Sequence, residues 1–154
     1  MIFYKSPGEI ESLERANALV LKILDALEAM VAPGVTTADL DRESEELARK
    51  AGARPAFKGY RGFPGSLCAS INEEVIHGIP SKKRALKEGD IVSLDFGVVL
   101  DGYYGDSART VAVGRIPEES TRLLAVTREA LDKGLAQARV GGRLSDIGFA
   151  IQSH

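Results

Sequence analysis

The chain has 154 residues, 44% of them hydrophobic and 27% charged, with a net charge of −2. Those values suit a globular chain long enough to bury a core, and they supply no basic field for a nucleic acid or an anionic membrane. A single cysteine, Cys68, excludes an internal disulfide framework, and no apolar run approaches a membrane span. Glu9, Glu11 and Glu14 follow the N-terminus too closely for a signal peptide. The expectation is a soluble, cytoplasmic protein.

Ser6-Pro7-Gly8-Glu9 reads as a helix start, with a serine cap, proline at the first helical position and glutamate at the third. Ile10, Leu13, Val20, Leu24, Leu27 and Val31 then keep a three-and-four spacing, the apolar stripe of a long amphipathic helix that Pro33-Gly34 ends. A second helix begins near Thr36 or Thr37, turns Leu40 and Leu47 inward and stops at Gly52. Residues 59 to 65, GYRGFPG, form a glycine-rich loop with two aromatics. LCASI and EVIHGI are expected as short strands joined by a turn at Asn72-Glu73, and KEGD at 87–90 as another turn. The strongest β-pattern runs from Ile91 to about Val113, and helix returns after Pro117 with Leu123, Leu124, Leu131 and Leu135 on one side.

Within the β-pattern, Val92, Leu94, Phe96, Val98 and Leu100 share one strand face, leaving Ser93, Asp95, Gly97 and Val99 on the other. Asp101-Gly102 is a favoured two-residue hairpin turn. Used as the loop, it pairs Leu100 with Tyr103, Val98 with Gly105, Gly97 with Asp106 and Asp95 with Ala108. Asp95 and Asp106 then lie diagonally on one face, at about 7–8 Å by backbone spacing. Gly97 removes a side chain where space is needed, and a slip of one residue would separate the acids. Two such charges repel. They can be relieved by protonation of one, by a basic partner such as Arg109, by a divalent cation, or by full exposure to water. Carboxylate-pair glycosidase chemistry lacks a sugar-binding aromatic platform. Hard oxygen ligands favour Mg, Mn, Fe(II) or Co(II), but two acids do not fill a coordination sphere.

His77 lies between a strand and a glycine turn, where an imidazole can be structural or can donate to a substrate. His154 lacks such a setting and reads as incidental. Phe57, Tyr60, Phe63 and Cys68 can line an apolar pocket or simply pack on the core. Cys68 has no cationic neighbour in sequence and reads as a small buried hydrophobe. Finally, GVTTADLD at 34–41 and GGRLSDIG at 141–148 echo one another at an offset of 107 residues, each after a long amphipathic helix. This spacing suggests a repeat whose second copy stops soon after its second helix begins.

PAFKGYRGFPGSLCASINEEVIHGIP followed by GDIVSLDFGVVLDGYYGDSARTVAVG resembles the type I methionine aminopeptidases, as do IESLERANALV and APGVTTADLD nearer the start. The resemblance implies an α/β (α+β) pita-bread fold. Its N-terminal half comprises two helices and antiparallel strands with an Asp-bearing hairpin, and further helices open the second half. It implies one incomplete catalytic domain over residues 1–154, with 1–115 the first pseudo-repeat and 116–154 the start of the second. Asp95 and Asp106 match aspartate ligands of a site for two divalent metal ions (Co, Mn, Fe(II) or Zn), Asp106 being the bridging one. His77 matches the catalytic histidine that contacts substrate near the scissile bond. Tyr60, Phe63, Cys68 and Phe57 match positions around the methionine side-chain pocket. Phe63 stands for a frequent tyrosine, Phe57 for a frequent cysteine and Arg61 for a histidine in some members.

The implied activity is removal of the initiator methionine, before a small second residue, from nascent polypeptide N-termini at the ribosome, by attack of metal-activated water. One histidine and two glutamates of the family's ligand set lie in segments without a counterpart here, and His154 does not match that histidine. The expected metal site is therefore open on one side. The short start suits a bacterial-type enzyme. Alternatives are a creatinase-type proline peptidase of the same fold and a non-catalytic binding module.

Overall fold

The computed structural model describes residues 3–154. They form two compact units, the first ending at Arg115 and the second spanning Ile116–His154.

The first unit opens with helix α1, Pro7–Met30, whose start is a complete capping box. Ser6 Oγ accepts from the Glu9 N–H at 3.4 Å, and the Ser6 N–H donates to Glu9 Oε2 at 2.8 Å. Reciprocal bonds of this kind satisfy donors that the first helical turn otherwise leaves orphaned. Its inward stripe is Ala16, Val20, Ile23, Leu24 and Leu27. Ile10, expected on that stripe, is exposed because it precedes the sheet-covering turns. Helix α2, Thr37–Lys50, repeats the device with Thr36 and Asp39. It buries Leu40 completely and leaves Leu47 partly covered against the core.

The sheet is antiparallel and centred on β3, Ile91–Leu100. Along one edge runs β4, Tyr103–Ala112; along the other lie β1, Arg54–Pro55, and β2, Leu67–Ile71. The β3–β4 register is the one that the Asp101-Gly102 turn predicts: Leu100 faces Tyr103, Val98 faces Gly105, Gly97 faces Asp106 and Asp95 faces Ala108. Asp101 and Gly102 both adopt positive φ, as that turn requires. Val92, Leu94, Phe96 and Val98 are fully buried with Leu24, Leu27 and Leu40, so both helices cover one sheet face and leave the aspartate face free of them. At Gly105 the helix comes so near that an added Cβ would lie 2.7 Å from the Asn17 backbone nitrogen.

EVIHGI, expected as a strand, is irregular. Asn72 and His77 sit at φ of +55° and +60°, which breaks an extended run at both ends, and adjacent Val75 and Ile76 are both exposed. The segment touches β2 at its two ends: the Glu74 N–H donates to the Ile71 carbonyl at 3.1 Å, and the Gly78 carbonyl accepts from the Ala69 N–H at 3.0 Å.

The second unit contains α3, Glu118–Leu135, and α4, Leu144–Gln152. Gly134 leaves room for Ile151, since a Cβ there would lie 2.8 Å from Ile151 Cδ1. His154 is not idle: its ring lies between Lys133 Nζ at 2.6 Å and Glu129 Oε2 at 3.0 Å, joining the end of α4 to α3.

Candidate metal centre and side-chain pocket

Strand pleating places Asp95 and Gly97 on the face away from the helices, and the register adds Asp106 from β4 and Cys68 from β2 to that face. A cavity of about 590 Å³ opens over them. Asp95, Asp106, Cys68 and His77 line it together with Phe57, Tyr60 and Phe63, so every site residue expected from the sequence meets in one place. Arg61, Gly62, Pro64 and Ile79 complete the lining. These four were not singled out from sequence as pocket lining. The local signal for the first three is the Gly59–Gly65 loop, whose backbone turns at Gly59, Arg61 and Gly62 with φ of +82°, +48° and +83°; Ile79 lies outside it, two residues after His77.

Each residue reaches the cavity for a local reason. The loop closes on itself through the Gly59 N–H to the Phe63 carbonyl at 2.8 Å, which holds Tyr60 and Phe63 outward from a single turn. The Arg61 guanidinium lies over the Tyr60 ring, 5.4 Å from its centre. His77 is held in a left-handed conformation by the anchoring of Gly78. The Gly78 N–H donates to Ser70 Oγ at 3.0 Å, and any side chain at Gly78 would collide with the Ala69 backbone. A non-glycine residue kept at positive φ by its surroundings is a recurrent mark of a functional position. The space expected above Gly97 is filled by Phe57, whose Cε1 would lie 2.9 Å from a Cβ added there. Phe57 thus forms the wall over Gly97, the register partner of Asp106.

These positions set the electrostatics. Burial raises Asp95 above the usual carboxylate range, the charge of Asp106 adds to that, and His77 pulls the other way. Burial also raises Asp106. Arg109 does not neutralise them. It belongs to the register pair with Leu94, hence to the helix side, where it binds Asp25 at 2.8 Å and also Glu28. Burial and the charges of Asp95, Asp106 and Asp41 push the Cys68 thiol up to about 11, which favours the neutral thiol over a thiolate.

Two carboxylates held together, with no Lys or Arg paired to either among the described residues, are the donor chemistry a hard divalent cation takes. Among the described residues, no three His, Cys, Asp or Glu side chains are grouped closely enough to hold a metal ion between them. Asp95 and Asp106 therefore fit as part of a ligand set.

Residues 11–154 match the model of metallopeptidase family M24. Methionine aminopeptidase of Clostridium acetobutylicum is 54% identical over 154 residues, all of this chain and 62% of that protein. The crystal structure of methionine aminopeptidase from Rickettsia prowazekii superposes with a TM-score of 0.96 at 41% identity, covering 99% of this chain and 61% of that one. The prolidase of Pyrococcus horikoshii shares the fold more distantly, with a TM-score of 0.85 at 25% identity over 97% of this chain and 41% of its own. The chain spans about three fifths of the length of the methionine aminopeptidases it matches. Its fold is theirs over that span, and the chain belongs to the M24 metallopeptidases.

Proposed function

We propose that this chain carries the side-chain pocket and two of the metal ligands of a metal-dependent methionine aminopeptidase, which releases the first methionine from peptides with a small second residue. The observation that carries this reading is the shared cavity, with an apolar aromatic wall at one side and two uncompensated aspartates at the other. Phe57, Tyr60 and Phe63 would surround an unbranched apolar side chain, and Cys68 lies on the sheet as a neutral, polarizable thiol. His77 stands where an imidazole can hydrogen-bond the substrate beside the bond to be cleaved. Asp95 and Asp106 would hold divalent ions, with Mn, Co, Fe(II) and Zn as the candidates. When bound, such ions supply Lewis acidity and activate water. A chain with no helix among the described residues long and apolar enough to cross a membrane, and with one buried unpaired cysteine, fits work on nascent chains at the ribosome in the cytoplasm.

The test is Mn(II)- or Co(II)-dependent release of methionine from Met-Ala-Ser, against a Xaa-Pro peptide, by this chain alone and with the remaining part of a full-length relative supplied. Release only in the supplemented form supports shared ligands. Cleavage confined to the Xaa-Pro peptide would replace the reading with a proline peptidase. No cleavage and no metal binding in either form would leave a non-catalytic module.

A further inference from the structure

One face of α2 carries three polar side chains at four-residue spacing, Thr37, Asp41 and Glu45, and each reaches a segment that lines the cavity. Thr37 Oγ1 accepts from the Ser81 N–H at 2.9 Å and donates to the Ser81 carbonyl at 3.2 Å. Asp41 Oδ1 accepts from the N–H groups of both Ser66 and Leu67, at 2.6 and 2.9 Å. Glu45 Oε2 accepts from Lys58 Nζ at 2.7 Å and from Ser66 Oγ at 3.2 Å. Lys58 and Ser66 bracket the turn that bears Tyr60 and Phe63, while Ser81 ends the strap that bears His77 and Ile79. The two walls meet over Asp41. A Cβ added to Gly65 would lie 3.0 Å from Asp41 Oδ1 and 3.0 Å from Pro80 Cδ. Thr37 and Ser66 are buried at this junction, so the bonds to Ser81 and from Ser66 to Asp41 are partly shielded from water, which strengthens a charged acceptor, while the Glu45–Lys58 pair is more exposed.

We propose that Asp41, supported by Thr37 and Glu45, is a positioning residue for the pocket: the α2 stripe holds both of its walls at the separation that selects the substrate's first side chain. This rests on reading the cavity as the site for that side chain. None of the three residues lines the cavity, so the stripe acts through the loops it holds, on binding and not on the chemical step.

The decisive experiment compares Asp41→Ala and Asp41→Asn by amide hydrogen exchange on the 154-residue chain, and by peptide kinetics in the form that releases methionine. In Asp41→Ala, exchange at residues 59–67 and 79–81 accelerates while α1 and β3 stay protected. KM for Met-Ala-Ser rises about tenfold, kcat stays within about twofold, and Mn(II) affinity is unchanged. Asp41→Asn keeps an acceptor of the same shape and restores most of both effects. Unchanged exchange in the two walls, or an Asn variant as impaired as the Ala variant, would overturn the proposal. Should Asp41→Ala fail to fold, Glu45→Ala takes its place, and it must loosen residues 59–62 selectively for the proposal to stand. A wild-type form that releases no methionine would refute the function proposed above. The exchange data alone would then decide whether α2 holds the two walls.

Discussion

At the residue scale, the sheet accepts an electrostatic cost at Asp95. Its folded-state pKa lies above the ordinary aspartate value because of burial and the neighbouring Asp106 charge. The stability linked to its protonated form is full below the ordinary pKa and lost as pH rises through the raised one. Asp95→Asn is therefore expected to melt higher than wild type in EDTA at neutral pH, with the gap closing as the solution is acidified. The same variant should lose Mn(II) binding, measured by EPR. A variant no more stable than wild type would contradict the cost. Cys68 should react slowly with iodoacetamide in mildly alkaline buffer and rapidly once urea unfolds the chain, since its thiol is buried and held up to about 11. The acids' common face was legible because it depends only on alternation and a two-residue turn. The partner of Arg109 was not legible, since it lies 81 and 84 residues away on a helix.

At the element scale, capping and close packing decide how firmly the site is held. Ser6→Ala removes a reciprocal cap and should cost about 1 kcal/mol in urea unfolding. Gly105→Ala forces a methyl against the backbone of Ala16 and Asn17, where the helix cannot yield without moving. A cost on the order of 2 kcal/mol is expected, with weaker Mn(II) binding, because the adjacent Asp106 N–H donates to Asn17 Oδ1 at 3.2 Å. Unchanged metal affinity in a destabilised Gly105→Ala would show that the α1–β4 contact does not set the Asp106 position. Both helices and the hairpin could be read from caps, spacing and turn chemistry, which are local. EVIHGI misled because its β-rich composition says nothing of the left-handed turn at His77, which goes with the bond of Gly78 to Ser70 of β2.

At the scale of the whole molecule, the first unit buries most of its large aliphatic side chains in one core, while the second leaves many in water. Leu123, Leu135 and Phe149 are 56%, 60% and 73% exposed. Apolar surface on this scale promotes association. Light scattering of the chain alone is expected to show concentration-dependent self-association that charge substitutions at Leu123 and Leu135 reduce. A monodisperse monomer at high concentration would count against it.

The sequence by itself determined the helices, the hairpin register and the shared face of Asp95 and Asp106, because caps, periodicity and a two-residue turn act over a few residues. Only the tertiary structure decided that Phe57 fills the space above Gly97, that Arg109 is spent on the helix side, and that α2 holds both walls of the cavity. Those outcomes depend on which distant segments meet across the sheet, and a meeting of that kind leaves no periodic trace in either segment alone.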